Sequence, residues 1–296
     1  MTQRMTTDRR FATLLALGAI GLWSLLAALA VGLRDVPPFL LLGLSLTGAG
    51  LLAAPTWRQW RVPLATLLLG LYGLFGYHLL LFLALRNAPA VEANLINYLW
   101  PLLIVVLSPL FVRGLRLTLR HLAAALLGMA GAALVITGGR WTLDSEHWPG
   151  YLLAAGAALA WATYSLGTRR VPPFPTAAVG LFCLVSGLLA LASHALLEPR
   201  YAPSATQWGL IALLALGPMG AAFFLWDAAL KRGDARTIGA LSYLTPLLST
   251  AMLVASGQSD FTSIAATAAL LIVLGAVLGS GGGRESSSDD HTDRSD

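Results

Sequence analysis

From Phe11 to Leu33 the chain runs 23 residues without a charged side chain. At about 1.5 Å per residue a helix of that length reaches ~35 Å, enough to cross a hydrocarbon core of ~30 Å. The pattern recurs. Apolar segments at roughly 38–55, 62–86, 89–112, 120–138, 149–168, 174–196, 207–229, 235–256 and 260–280 bring the count of candidate helices to ten. Lipid offers the backbone no hydrogen-bond partner, so such segments are confined to helices. A secretory signal is the competing reading of the first run, but 23 residues exceed an h-region of about 7–15. The expected fold class is therefore an all-α membrane protein. The composition, 57% hydrophobic and 11% charged, is that of an integral membrane protein. The net charge of +5 sits in loops between apolar runs, which points to membrane orientation rather than nucleic acid. The single cysteine, Cys183, excludes an intramolecular disulfide, and no metal-ligand spacing or cofactor motif is present.

One stretch occurs twice. Asn94-Leu95-Ile96-Asn97-Tyr98-Leu99-Trp100-Pro101-Leu102-Leu103 returns as Gly239-Ala240-Leu241-Ser242-Tyr243-Leu244-Thr245-Pro246-Leu247-Leu248, 145 residues later. Across windows 82–103 and 227–248, eight of 22 positions are identical. Shared Leu and Ala mean little in an apolar chain; a shared Tyr-x-x-Pro at one register means more. It predicts an internal repeat with a proline-broken helix in each half. The domain reading is a cytoplasmic N-terminus over 1–10, a first five-helix repeat over 11–138, a second over 149–280 and a disordered cytoplasmic tail over 281–296.

Loop charges set the orientation. With the N-terminus in the cytoplasm, fifteen Lys and Arg residues fall inside, and only Arg34, Arg86, Arg140 and Arg200 fall outside. That is a strong positive-inside bias. Five helices per half then place the two copies in opposite orientations, the arrangement of many secondary transporters, with the substrate site near the midplane.

Candidate site residues follow from helical faces. Asn94, Asn97, Tyr98 and Pro101 share one face of the fourth helix. Amides and a phenol facing lipid are costly, so this face should look inward. Pro101 has no N–H, which frees the Asn97 carbonyl. Gly239, Ser242, Tyr243 and Pro246 repeat that face in the ninth helix. In the third helix His78 is an intramembrane histidine beside Tyr77, a functional candidate, although a histidine bonded to a neighbouring helix reads equally well. Trp161 and Trp100 fall near mid-membrane, away from the interface where tryptophan prefers to sit. Trp23 is also central, and aromatic core packing is at least as good a reading for it as a cavity wall. The proposed substrate-binding set is His78, Tyr98, Trp100, Trp161, Asn97, Tyr77, Tyr243 and Ser242, with Pro101 and Pro246 as hinges and no catalytic or metal residues. Glu92, His194 and Asp227 are near span ends; an ion pair with Lys231 at i+4 accounts for Asp227.

Ten helices in inverted halves with this Tyr-x-x-Pro element resemble the drug/metabolite transporter superfamily, EamA-like branch, over roughly 11–280. Tyr77-His78 with Asn97-Tyr98-Leu99-Trp100-Pro101 and Trp161 resembles more narrowly the YddG-type aromatic amino acid exporters. The resemblance implies a bacterial inner-membrane secondary transporter, not an enzyme. It would export aromatic amino acids and related small metabolites by alternating access, with the lipid bilayer as its surroundings and no cofactor or obligatory protein partner. An exporter of small amino acids or purines is the alternative. No buried Lys or Arg is available to clamp a phosphate, which disfavours nucleotide-sugars.

Overall fold

A computed structural model describes residues 2–140, 142–255, 260 and 262–280. The tail read above as disordered, the remainder of the 260 region and Trp141 lie outside the described residues. Helices make up the architecture, and no strand occurs among the described residues. In chain order the apolar helices are α1 (Arg10–Val31), α2 (Pro38–Leu52), α3 (Leu64–Asn87), α4 (Ala90–Phe111), α5 (Leu119–Thr137), α6 (Trp148–Gly167), α7 (Thr176–Leu197), α8 (Ala205–Arg232), α9 (Ala235–Ala255) and α10 (Ser263–Gly279). Seven are long and apolar enough to cross a membrane, among the described residues. The others are α2 and α10, which are shorter, and α6, whose 20 residues are diluted by Trp, Tyr and Gly.

Local chemistry sets the starts. Pro37, Pro63 and Pro89 precede α2, α3 and α4, where a fixed φ and a missing N–H cost nothing. Ser204 and Gln207 form a reciprocal capping box at α8. At the end of α5, Gly138 takes φ +59°, a conformation that suits glycine.

The closest helix pairs are α2 with α7, α5 with α10, α3 with α6 and α1 with α8. Exchanging each helix with the one five places along maps this set onto itself. Glycine permits the approach: a Cβ on Gly187 would lie 2.5 Å from the Thr47 backbone nitrogen, and one on Gly275 2.7 Å from the Ala124 carbonyl. Gly275-x-x-x-Gly279 is thus used inside the chain, against α5.

Five helices are irregular: α1 is interrupted at Leu25, and the other four are irregular at matched places. α3 contains a wide π turn at Tyr72–Gly76, and α8 one at Gly217–Ala221. α4 is interrupted at Tyr98–Leu99 and α9 at Ser242–Tyr243. The π turns and the tyrosines of the two breaks stand at the same 145-residue separation. In α8 the π turn needs Gly220, because a Cβ there would meet the Ala215 carbonyl at 1.9 Å.

One end of the bundle is tied by arginines. Arg169 donates to the Leu230 and Gly233 carbonyls at the end of α8, and Arg170 to the Leu110 and Phe111 carbonyls at the end of α4. These are C-terminal carbonyls that have no helical partner. Arg120 donates to the Leu278 carbonyl, and Arg236 to the Arg116 carbonyl and to Asp234. Burial alone would raise the Asp234 carboxyl, but the Arg236 hydrogen bonds outweigh it and hold it below the ordinary carboxylate range. At the opposite end Glu198, almost fully buried, accepts from the Phe39 and Leu40 backbone, His194 and Arg86.

Candidate functional site: an aromatic cavity between the helix breaks

A cavity of about 410 Å³ lies between α1, α3, α4, α5, α6, α8 and α9. It occupies the half of the bundle away from the arginine contacts, since its wall includes Leu26, Asn94, Ile136 and Thr250. Its volume falls within the ~300–1,000 Å³ range of small-molecule sites.

Each wall residue is placed by local backbone. The π turn of α3 shifts the register so that Tyr77 and His78 face the cavity. His78 Nδ1 lies 2.5 Å from the Leu74 carbonyl oxygen. A carbonyl can only accept, so the proton sits on Nδ1 and Nε2 is left as an acceptor. The Tyr77 ring stacks edge-on against His78 at 4.7 Å and tilts against Trp161 at 5.3 Å. Asn97 ends the first segment of α4 and donates Nδ2–H to Tyr77 Oη at 3.2 Å. Its Oδ1 is buried without a partner. Tyr98, in the break, and Trp100, just after it, complete that wall.

Below the cavity four tryptophans from four helices pack together. Trp23 meets Trp226 at 5.2 Å, Trp161 at 5.7 Å and Trp100 at 6.3 Å, and Trp161 stacks on Trp226 at 6.3 Å. Phe223 joins at 5.7 Å from Trp161. Such pairs add about 0.5–1.5 kcal/mol each beyond their burial. Two indoles are satisfied across helices: Trp23 Nε1–H donates to the Pro218 carbonyl at 3.1 Å and Trp226 Nε1–H to Ser165 Oγ at 3.0 Å. The cluster forms an aromatic floor between the cavity and the arginine end.

Of the residues singled out from sequence, Tyr77, His78, Asn97, Tyr98, Trp100, Trp161 and Pro246 are gathered on this wall. Tyr243 and Ser242 are not: both are fully buried. Tyr243 Oη bonds to the Leu102 N–H at 3.1 Å and to the Tyr98 carbonyl at 3.3 Å, and Ser242 Oγ to the Ile238 carbonyl at 2.9 Å. Pro101 is buried with its carbonyl against α9, where a Cβ on Gly239 would lie 3.0 Å from it. Trp23, for which the sequence leaves both packing and a cavity wall open, lines the cavity, as do Met219, Phe223, Thr245, Ser249 and Thr250. Single hydroxyls in apolar helices carry little signal, but Thr245, just before Pro246, and Ser249 and Thr250, one turn after it, share its side of α9. No group of three or more metal-ligating side chains is formed among the described residues.

Known proteins with the same sequence pattern define the family. The EamA-like transporter family model matches residues 10–137 and again 148–280. The chain is 42% identical over 280 residues to the aromatic amino acid exporter YddG of Ancylobacter novellus, covering 92% of this chain and 97% of that protein. It is 27% identical to the aromatic amino acid exporter YddG of Salmonella typhimurium, covering 93% and 97%. A solved crystal structure with 41% sequence identity superposes with a TM-score of 0.89 over 92% of this chain and 97% of that one. A family model spanning both halves, and a close relative covered almost end to end, establish that this multi-pass membrane protein belongs to the EamA-like transporter family.

Proposed function

We propose that the chain exports aromatic amino acids and related small metabolites across a bacterial inner membrane by alternating access. The observation that carries this reading is the cavity itself. Its wall joins seven aromatic or imidazole rings, those of Trp23, Tyr77, His78, Tyr98, Trp100, Trp161 and Phe223, to unpaired amide and hydroxyl groups. Aromatic faces stack on an aromatic substrate. The relatives named as aromatic amino acid exporters support the same substrate class.

In this reading all of α1–α10 span the membrane as two inverted repeats, 11–138 and 149–280. Two family-model matches, matched π turns and helix breaks, and the self-mapping helix pairs support it. Both termini are cytoplasmic, because Arg120, Arg169, Arg170 and Arg236 gather at one end of the bundle and basic residues favour the cytoplasmic side. The cavity then faces outward, with the tryptophan floor beneath it. A reporter fused after Arg140 should read outside; a cytoplasmic signal there would remove the inverted arrangement.

Counterflow of labelled tryptophan or phenylalanine into proteoliposomes tests the function. Trp161→Ala should cut it about tenfold or more while the protein remains folded in the membrane. If alanine or a purine competes as well as phenylalanine, the exporter serves another metabolite class. If Ala replacements at both Trp161 and Tyr98 leave transport unchanged, this cavity is not the site.

A further inference from the structure

We infer that the cavity reads the charged head of an α-amino acid with two uncharged groups set at the two helix breaks: Asn97 Oδ1 accepts from the ammonium, and the Thr245 hydroxyl donates to the carboxylate. This rests on the proposed export of aromatic amino acids and assigns the part of the site that rings cannot read.

The argument begins from what the wall lacks. Among the described residues lining the cavity there is no Asp, Glu, Lys or Arg. A zwitterion entering it leaves water at both ends of its head group, and each charge needs a replacement for its hydration. Only fixed dipoles are available. Two wall residues carry side-chain atoms that are buried and unpartnered, Asn97 Oδ1 and Thr245 Oγ1, in residues 5% and 8% exposed. Leaving such atoms unpaired is costly, and both belong to residues facing the same cavity.

Backbone polarity assigns the two ends. The first segment of α4, Ala90–Asn97, terminates at Asn97, so its carbonyl end points into mid-membrane. Pro101 has no N–H to return to the Asn97 carbonyl. That end is electronegative and suits a cation. The second segment of α9, Leu244–Ala255, starts beside Thr245 and has the electropositive end of a 12-residue helix there, which suits an anion. Broken helices in transporters present such ends to ions and carboxylates. Asn97 is held by its Nδ2–H bond to Tyr77 Oη. One of the two Nδ2–H donors is thereby used, which fixes the amide, and Oδ1 is its unpartnered acceptor. Tyr77 is accordingly a positioning residue for the ammonium subsite.

The test compares phenylalanine with its two half-heads in proteoliposome counterflow. Phenethylamine keeps the ammonium and 3-phenylpropionate keeps the carboxylate. With the unaltered chain both should compete at least tenfold more weakly than phenylalanine. Asn97→Asp adds a fixed negative charge at the ammonium end, so phenethylamine should compete about tenfold better than it does with the unaltered chain, and 3-phenylpropionate worse. Thr245→Val should weaken competition by phenylalanine and 3-phenylpropionate several-fold and leave phenethylamine unchanged. The Thr245→Val arm stands alone if the aspartate variant does not fold. The assignment is overturned if phenethylamine already matches phenylalanine, or if either variant moves both half-heads equally. If phenylalanine counterflow is robust while these contrasts are absent, only the subsite assignment falls. If there is no phenylalanine counterflow at all, the export reading falls and takes the assignment with it.

Discussion

The two helix breaks share the Tyr-x-x-Pro element and do opposite things. In α4 the residues before and within the break, Asn94, Asn97 and Tyr98, line the cavity together with Trp100 just after it, and Pro101, Ile104 and Val105 beyond are packed away. In α9 the residues before and within the break, Gly239, Ser242 and Tyr243, are packed away, and those after it, Thr245, Pro246, Ser249 and Thr250, line the cavity. In the proposed inverted arrangement, two oppositely directed helices sharing one cavity on one side of the midplane divide their halves in this way. The tyrosines make the difference sharpest. Leu102 N–H would ordinarily bond to the Tyr98 carbonyl one turn back. Instead the Tyr243 hydroxyl stands between them, at 3.1 Å and 3.3 Å. A side chain inserted into the i→i−4 ladder is a recognised cause of a bend. Tyr98, its counterpart, is on the cavity wall. The repeat thus carries one tyrosine that props a break open and one that meets the cavity.

The largest effect should come from crowding Tyr243. A Cβ on Gly128 of α5 would lie 2.4 Å from Tyr243 Cδ2 and 2.8 Å from its Cγ. Gly128→Leu puts a whole side chain where the ring is, and α10 is also close, since a Cβ on Gly275 would lie 3.0 Å from the Gly128 backbone nitrogen. Overpacking of this kind costs ~1–3 kcal/mol and occasionally more, and here no flexible neighbour can yield. The expected result is a drop of several degrees in the melting temperature of the purified protein in detergent. An unchanged melting temperature would show that Tyr243 leaves its slot without penalty.

How much of this comparison can be read from the chain alone depends on scale. Apolar segments are legible because lipid imposes a pattern about 20 residues long; helices α1 through α10 fall on them within a few residues, and seven are long and apolar enough to cross a membrane, among the described residues. The repeat is legible because Tyr-x-x-Pro survives at a single register. The face of α4 is legible because Asn94, Asn97 and Tyr98 follow the helical period. Transferring that face unchanged to α9 misplaces Ser242 and Tyr243. In the proposed inverted arrangement the second copy puts its first half at the other end of the bundle, where this structure is packed shut. The opposite orientation of the two halves, taken one step further, would have moved attention to Thr245, Ser249 and Thr250. Trp23 and Trp226 are harder. Nothing local distinguishes a tryptophan in an aromatic floor from one in a core. The distinction lies in contacts between α1, α4, α6 and α8, which are far apart in sequence. The Trp23 bond to the Pro218 carbonyl likewise depends on a π turn that has no sequence signature beyond its Gly and Pro.

A smaller effect tests the hydroxyl alone. Tyr243→Phe keeps the ring and removes two hydrogen bonds, each with a net worth of about 0.5–1.5 kcal/mol. If the bonds hold α4 in its present shape, the equilibrium between cavity-open and cavity-closed states should move about tenfold away from the state described. The readout is the rate at which an impermeant maleimide labels a Ser249→Cys variant, with the buried Cys183 giving little background. Our hypothesis is that the two tyrosines exchange places when the cavity opens to the other side, Tyr98 then propping α9. Tyr98→Phe should therefore shift labelling in the opposite direction to Tyr243→Phe. Shifts in the same direction for both variants would mean that the pair does not exchange.

The smallest effect concerns the prolines. Pro101 and Pro246 each stand three residues after a break tyrosine, and each removes one backbone donor from the ladder. Two accounts compete. In one, the missing donor only shapes a permanent kink, and the tyrosine hydroxyl does the bending. In the other, the missing donor lets each half-helix pivot during the rocking of one repeat against the other. Replacement by alanine restores a donor worth about 1 kcal/mol, so the expected change is roughly fivefold and no more. Where that change appears separates the accounts. A pivot that has been stiffened slows turnover and leaves substrate binding nearly intact, because conformational steps often limit a cycle of this kind. A reshaped kink alters the cavity wall and weakens binding instead. Position sharpens the contrast. Pro246 is on the wall and Pro101 is not, so a static role predicts a binding defect for Pro246→Ala alone. A hinge role predicts slower turnover for both, measured as the exchange rate at saturating substrate on folded, purified variants. If both alanine variants keep the unaltered exchange rate, the hinge account fails, and bending at the two breaks is left to Tyr243 and its counterpart.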